Sequence, residues 1–347
     1  MAGPRRELLT FSCAMLELKP LGIDNFQHFL SLLTERGEAP EDYYRWKYLD
    51  QPAYGCPTGF IAYVDNKPAG CIGIINRRYR ANDGKDYPAT WFADWFVSSS
   101  ARGLGIGETL MQKVRSLAVY NFGSPGPVKA QQVCANAGYT SMRSNYEEVI
   151  VYLRPFRCGY LRGKGSLLQR FLRGVKSFMI SSPAIIRLSW FESASFKKIS
   201  GPDPDLLVPG YLIDSDFSIC LNRTHEFVSW LSQMPAKTSS GRYWWTIHEK
   251  DFFCWGFSET DFWGLQKATV FEVVSNRNQR VEVSIFNKTL LRNKIDAVKY
   301  ISKSGLNNTI ASYKYPLSVF YNGPHLPIKF VISCLDKESS WRELLMN

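Results

Sequence analysis

Residues 102–107 combine an arginine with three glycines, and this combination suits the binding of a phosphate group. They lie between the apolar run TWFADWFV and an amphipathic run. Glycines let successive backbone N–H groups approach an anion and open a helix N-terminus toward it, where the helix dipole favours negative charge. Arginine adds a charge-assisted hydrogen bond. We therefore expect a diphosphate to be held here. The candidate residues are Arg102, Gly103, Leu104, Gly105, Ile106 and Gly107.

Two common glycine motifs are excluded at this position. A dinucleotide-binding fingerprint needs GxGxxG, but Glu108 stands where the third glycine would follow Gly105. A P-loop needs GxxxxGK followed by Ser or Thr, and the sequence has none. The loop instead follows an apolar strand and opens a helix.

Composition indicates a globular, cytoplasmic protein of two domains. The length of 347 residues suits two domains of about 150 residues each. The eight cysteines form no CxxC pair and the four histidines show no metal spacing, so we expect reduced thiols and no metal. Polar residues interrupt the apolar N-terminal stretch, which argues against a signal peptide, and no stretch is long and apolar enough to span a membrane.

The positive charge is concentrated in one segment. Residues 154–200 contain ten Lys or Arg and one acid, Glu192, so they hold most of the net charge of +11. This distribution argues against DNA binding. Within the segment, GSLLQRFLRGVKSFMI predicts a basic amphipathic helix that ends at Pro183. It is either a connector docked between two domains or, over residues 163–180, a peripheral contact with an anionic membrane.

A weak internal repeat indicates a duplicated unit. Residues 40–52 match 224–235 around Trp46 and Trp230, 58–70 match 240–252, and 89–105 match 268–283, in the same order. The second copy has no glycine where the first has its loop. Only the first copy is therefore expected to bind a diphosphate in this way.

The residues resemble the GNAT superfamily of acyl-CoA-dependent acetyltransferases. Its signature is Arg or Gln, two residues, Gly, one residue, then Gly or Ala, and Arg102, Gly105 and Gly107 fill it. The resemblance covers about 15–153, and the repeat extends it to the second copy. It implies an α/β fold with a mixed sheet, in tandem GNAT-like domains of the long bacterial type. The expected divisions are a catalytic domain at 15–153, a basic helical connector at 154–205 and a degenerate copy at 206–347.

The same resemblance implies the roles of several residues. Acetyl-CoA or another acyl-CoA would place its pyrophosphate on the loop, with Val97 in contact with the pantetheine arm and a backbone amide near Phe96 or Val97 meeting the oxyanion. Asp94 would be the general base, unless it is a structural or exposed acid. Family members usually carry a tyrosine proton donor four residues before a glycine, but Gly138 is preceded there by Cys134. This departure leaves the acid open among Cys134, Tyr139 and Tyr146, or no acid at all.

Three functions remain open from the sequence. The first is transfer of an acyl group to a primary amine, such as an amino sugar on a nucleotide-linked or lipid-linked precursor of an envelope polysaccharide. The second is a peptidyl transferase that uses aminoacyl-tRNA, and the third is a non-catalytic acyl-CoA-binding scaffold. The second copy would wall the acceptor cleft or form a homodimer contact.

Overall fold

The computed structural model of the chain describes most of its length. The described ranges are 15–34, 40–81, 83–124, 126–161, 165–188, 193–199, 219–222, 224–235, 242–249, 252–260, 264–275, 279–303 and 313–322.

Helices and strands alternate along most of the chain. The helices are α1 (Phe26–Thr34), α2 (Glu41–Tyr48), α3 (Ile106–Arg115), α4 (Val128–Asn136), α5 (Pro155–Leu161), α6 (Leu167–Leu188), α7 (His225–Ser232) and α8 (Gln279–Arg292). The strands are β1 (Leu16–Pro20), β2 (Gly59–Val64), β3 (Lys67–Ala81), β4 (Asp86–Val97), β5 (Tyr120–Gly123), β6 (Thr140–Tyr152), β7 (Ser195–Ile199), β8 (Ile219–Leu221), β9 (Arg242–Glu249), β10 (Phe252–Thr260), β11 (Gln266–Ser275), β12 (Ala297–Lys303) and β13 (Tyr313–Asn322).

All described strands belong to one mixed sheet, which confirms the predicted α/β class with a mixed sheet. The order is β1-β2-β3-β4-β5-β13-β6-β12-β11-β10-β9-β7, and β8 pairs with β3 off this path. The β4–β5 and β11–β12 pairs are parallel, whereas the other pairs are antiparallel. Each parallel pair is connected through one helix, α3 or α8, because parallel neighbours require a crossover connection.

The strand order is symmetric about the pair β13–β6. Outward from this pair, β5, β4, β3, β2 and β1 on one side correspond to β12, β11, β10, β9 and β7 on the other. The parallel and antiparallel pairings match at every step. This symmetry supports the internal repeat found in the sequence.

The two halves exchange strands at the centre of the sheet. Strand β13, from the second half, lies between β5 and β6 of the first half, and β6 lies between β13 and β12 of the second. Each half therefore completes its sheet with a strand from the other. The domain limits 15–153 and 206–347 stay predictions, and the sheet is continuous across both ranges.

The connector range contains more structure than the sequence indicated. Strand β7 lies within 154–205 and pairs with β9, so this range contributes an edge strand to the sheet. Helix α6 runs to Leu188, so the prediction that it ends at Pro183 was wrong. A proline removes one backbone hydrogen bond and strains the helix, but it does not always end it. No described helix has the length and apolar character needed to cross a membrane.

Two equivalent tryptophans join the halves. Trp46 in α2 and Trp230 in α7 are both buried, and their rings stack with centroids 4.6 Å apart and 8° between their planes. Each indole N–H donates to the backbone carbonyl of the other residue at 2.8 Å. Both buried indole N–H groups therefore have a hydrogen-bond acceptor. The two reciprocal bonds fix how α2 and α7 meet.

We predict that the stacked tryptophans couple the two halves energetically. Trp46→Phe and Trp230→Phe should each lower the free energy of unfolding by about 1–3 kcal/mol, because each removes one buried hydrogen bond between the halves and part of a stacked ring. Because the rings touch, the double variant should depart from additivity by about 0.5–1.5 kcal/mol in urea unfolding.

Trp245→Phe is the matched control, because its indole N–H donates to Ser258 within the second half. Combined with Trp46→Phe, it should be additive within about 0.5 kcal/mol. Additivity in the Trp46 and Trp230 pair as well would contradict the coupling.

Candidate active site

The glycine loop between β4 and α3 is open to solvent. Gly103 and Gly105 have φ values of 91° and 75°, in the left-handed region that glycine adopts without strain. A Cβ atom built on either residue meets no atom within 4 Å. Arg102 to Gly105 are exposed, and Leu104 keeps 54% of its surface accessible. The loop therefore offers room for a ligand against its backbone.

The loop places backbone N–H groups that have no helical acceptor at the start of α3. The first helical hydrogen bond runs from the Thr109 N–H to the Gly105 carbonyl at 3.1 Å. The amides of Ile106, Gly107 and Glu108 precede it and have no acceptor within the helix. Together with the dipole of α3, these N–H groups make a site for an anion.

The last two loop residues anchor the helix instead of facing outward. Ile106 is 1% exposed, and a Cβ built on Gly70 of β3 would lie 3.0 Å from its Cγ2 atom. A Cβ built on Gly107 would lie 2.9 Å from the Trp95 ring. Gly107 thus lets the first turn of α3 pack closely on β4.

Strand β4 parts from β5 beside this loop. The parallel pairing ends at Phe92 and Gly123, while β4 continues to Val97. On its other edge, β4 stays paired with β3, where Phe96 faces Cys71 and Val97 faces Gly70. One edge of residues 93–97 therefore has no partner in β5. Phe96 and Val97 lie in this split, and their contacts with a pantetheine arm and an oxyanion stay predictions.

A β-bulge lies inside the split. The pairing of β3 with β4 shifts register between Cys71 and Gly73, opposite Phe96 and Ala93, so β4 has one extra residue there. Asp94 has a φ of 49°, a left-handed value uncommon for a non-glycine residue. Bulges redirect side chains and raise local twist, and this one turns β4 where it leaves β5.

The Asp94 side chain is held by two residues of α2. Its Oδ2 atom accepts from the Lys47 ammonium at 2.7 Å and from the Tyr48 hydroxyl at 2.5 Å. The side chains of Lys47 and Asp94 are both 0% exposed. These are the contacts of a structural acid, the alternative that the sequence left open. The role of Asp94 as general base stays a prediction.

Sequence reasoning missed Lys47 and Tyr48. The Lys47 ammonium lies over the rings of Tyr43 and Tyr48, 5.5 and 5.2 Å from their centroids. Glycine at position 73 makes room for the Tyr48 ring, since a Cβ there would overlap it. One signal was present: at about 100° per residue, Lys47 lies between two tyrosines of YYRWKY, on the side of the helix away from the exposed Glu41, Asp42 and Arg45.

Cys134 is poorly suited to donate a proton. It lies in α4 with 2% exposure, and burial raises the pKa of its thiol to about 12. A thiol with a pKa above that of an ordinary thiol, about 8.5, is a weaker proton donor to a departing thiolate. Its contacts are those of a core residue, and its catalytic role stays a prediction.

Tyr139 presents a hydroxyl near the split. The residue is 4% exposed, and its hydroxyl has no hydrogen-bond partner in the structure. Its ring packs edge-to-face on Phe92, the last residue of β4 that pairs with β5, at 5.3 Å. Burial raises the pKa of Tyr139 well above its usual value, and Cys134 adds to this while Arg115 opposes it. The Tyr146 side chain lies outside the described residues.

The equivalent connection in the second half is shorter. Residues 98–105 separate β4 from α3, whereas only residues 276–278 separate β11 from α8, and these three lie outside the described residues. The prediction that only the first copy binds a diphosphate stays a prediction. Across the described ranges, no group of three or more His, Cys, Asp or Glu could hold a metal ion.

The family comparison covers the loop and the split. Residues 24–120 match the family model described as the acetyltransferase (GNAT) family. This part of the chain is similar to the GNAT family. The matched range includes α2, the bulge, the glycine loop and α3, and it ends at the first residue of β5. The resemblance read from Arg102, Gly105 and Gly107 is confirmed.

Solved structures extend the similarity of fold to most of the chain. A GCN5-related N-acetyltransferase from Anabaena variabilis has 14% identity and a TM-score of 0.55, over 88% of this chain and 72% of that one. One from Kribbella flavida has 12% identity and a TM-score of 0.56, over 89% and 71%. N-myristoyltransferase from Saccharomyces cerevisiae, solved with bound myristoyl-CoA and inhibitors, has 12% identity and a TM-score of 0.53, over 88% and 79%. No curated protein matches the chain.

We predict that Gly105→Ala weakens CoA binding by about tenfold in calorimetry. The added Cβ disfavours the left-handed backbone by about 1–2 kcal/mol and shifts the amides that start α3. Gly84→Ala is the matched control: Gly84 has a φ of 77° and open space around it, in the turn between β3 and β4. It should lose similar stability and keep CoA affinity. Equal CoA affinity in both variants would exclude the loop as the diphosphate site.

We predict that Asp94→Asn destabilises the fold by about 3–5 kcal/mol, because it leaves the Lys47 ammonium buried without its counter-charge. Adding Lys47→Met should restore part of this stability, since a neutral pair removes the uncompensated charge. Urea unfolding measures the stability, and CoA release with a panel of amines measures the activity.

If Asp94 has a structural role only, the variant with both Asp94→Asn and Lys47→Met should recover activity together with stability. Recovered stability without recovered activity would instead support Asp94 as the general base.

Proposed function

We propose that this protein is an acyl-CoA-dependent N-acyltransferase that transfers an acetyl or other acyl group to a primary amine. The observation that carries this proposal is the open glycine loop at the start of α3, directly beside the part of β4 that has parted from β5. A diphosphate needs several N–H donors at one point, and a pantetheine arm needs a strand edge with free backbone groups. The two features adjoin here, within the range that matches the GNAT family.

The chain fits the diphosphate part of the donor. Left-handed glycines at 103 and 105 leave no side chain over the backbone, and Arg102 is exposed at the entrance. A guanidinium forms strong paired hydrogen bonds with phosphate oxygens. The amides of Ile106, Gly107 and Glu108 would complete the site, while the bound donor would supply the acyl group as an activated thioester.

The split in the sheet would act on the reacting carbonyl. Backbone N–H groups near Phe96 and Val97 are fixed by pairing with β3 on the other edge, so they would meet a developing oxyanion without reorganisation. Cys134 and Tyr139 both stay candidates for the proton donor: burial raises the pKa of each, and Tyr139 has an unsatisfied hydroxyl and a ring in contact with Phe92. The attacking amine must be neutral, and Asp94 or a water molecule held near it would accept its proton.

The chemical class of the acceptor amine is proposed from the resemblance to long tandem GNAT proteins. We assign it as an amino sugar on a nucleotide-linked or lipid-linked precursor of an envelope polysaccharide. The second half supports a walled acceptor cleft, because its strand β13 pairs with β5 and so adjoins the split. A cytoplasmic location follows from the use of acyl-CoA and agrees with the free thiols of Cys56, Cys71, Cys134, Cys158 and Cys254.

Mass spectrometry of the purified protein under native conditions tests the proposal. We expect a retained CoA or acyl-CoA, or an increase in melting temperature on addition of acetyl-CoA, followed by acyl transfer to at least one amine of a panel that includes amino sugars. CoA binding with no transfer to any amine would support a non-catalytic scaffold. Absence of CoA binding would overturn the proposal, and transfer from aminoacyl-tRNA would replace it.

A further inference from the structure

Helix α6 exposes an unusual amount of apolar surface. Of the fourteen large hydrophobic side chains exposed in the described part of the chain, seven belong to this helix. They are Leu167, Leu168, Phe171, Leu172, Phe178, Met179 and Ile186, which are 50–70% exposed. Phe156 of α5 adds a further exposed ring that packs on Phe171 at 5.9 Å. We call this set of eight side chains the α6 patch.

The patch forms one continuous stripe. At about 100° per residue, the seven side chains of α6 fall within a sector of about 140°. A stripe of this width normally packs against the core of a protein. Here it faces solvent, and large exposed apolar areas mark interaction surfaces.

The orientation of the stripe is fixed by close packing against α5. A Cβ built on Gly159 would lie 2.6 Å from the Ser177 Oγ atom and 2.8 Å from the Arg173 carbonyl oxygen. A Cβ built on Gly174 would lie 3.0 Å from the Phe156 ring. Because both glycines allow this close approach, α6 cannot rotate its apolar stripe inward without losing the contact.

Basic side chains lie beyond both borders of the stripe. At about 100° per residue, Lys176 follows one border and Arg170 precedes the other, whereas Arg173 lies on the opposite side of the helix. Lys176 is exposed, and Arg170 lies over the Tyr160 ring at 4.8 Å while donating to its carbonyl oxygen at 3.1 Å. The helix contains no acidic residue. The helix that carries the stripe is therefore positively charged.

We propose that the α6 patch docks the protein on an anionic lipid bilayer, with α6 lying parallel to the surface. Apolar side chains with adjoining Lys and Arg are the composition of interfacial helices, and anionic lipids attract each basic residue near the surface. The charge argues against a second copy as the occupant, because two segments of the same positive charge would repel. This inference is independent of the acyltransferase proposal.

Vesicle sedimentation of the full chain tests it. We expect binding to vesicles of mixed phosphatidylcholine and phosphatidylglycerol, weaker binding to phosphatidylcholine alone, and a decrease with added salt. Leu168→Gln with Leu172→Gln should weaken binding to the vesicles by about tenfold, because the protein loses two apolar side chains that would insert into the bilayer. Lys176→Gln should weaken it by about fivefold on anionic vesicles, because this lysine lies beside the stripe.

The matched control is Ile23→Gln with Val128→Gln. These side chains are 71% and 81% exposed, so the control removes a similar apolar surface outside α6. It should bind vesicles like the unchanged protein, and thermal unfolding should show that all variants stay folded.

Three results would overturn the proposal. The first is absence of binding to anionic vesicles, and the second is equal loss of binding in the control and in the Leu168 and Leu172 variant. The third is that the unchanged protein dimerises and does not bind vesicles, and that the Leu168 and Leu172 variant stays monomeric. This result would assign the patch to a second copy. Binding of polyglutamate but not of vesicles would likewise assign it to an acidic protein.

Discussion

The buried ion pair between Lys47 and Asp94 connects the helix α2 to the bulge where β4 leaves β5. The split in the sheet depends on this bulge, because it turns the strand away from its parallel neighbour. Three consecutive residues of α2 make the key contacts: Trp46 reaches α7 of the second half, and Lys47 and Tyr48 reach Asp94. One turn of helix thus links the arrangement of the two halves to the geometry of the site.

The two halves share a strand order but differ in the length of one connection. The symmetric sheet places α3 and α8 in equivalent crossovers, and residues 98–105 of the first crossover form an open loop. The second half contributes β13 and α7 to the surroundings of the first. These contacts agree with the proposal that the second half supports the site of the first.

The sequence predicted the features that depend on neighbouring residues. The glycine loop, the strand before it and the helix after it follow from local pattern, and Trp46 and Trp230 were found by comparing the two copies. The exchange of β6 and β13 was not predicted. The alternation of apolar and polar residues within a strand indicates which face is buried, but it does not indicate which strand is the neighbour. The pair of Lys47 and Asp94 was missed for a similar reason, since the two residues are distant in sequence and meet only through the bulge. The unsatisfied hydroxyl of Tyr139 depends on packing that no pattern reports.

The exchanged strands constrain how the protein is made. Strand β5 is synthesised long before β13, and in register Gly123 faces Phe320. A nascent chain that has emerged through β6 therefore has an open edge on β5 until the ribosome reaches the end of the second half. Contacts of such long sequence separation slow folding and leave strand edges exposed to wrong partners. The first half is thus expected to acquire its native sheet only after translation of β13, which makes biogenesis of the site a property of the whole polypeptide.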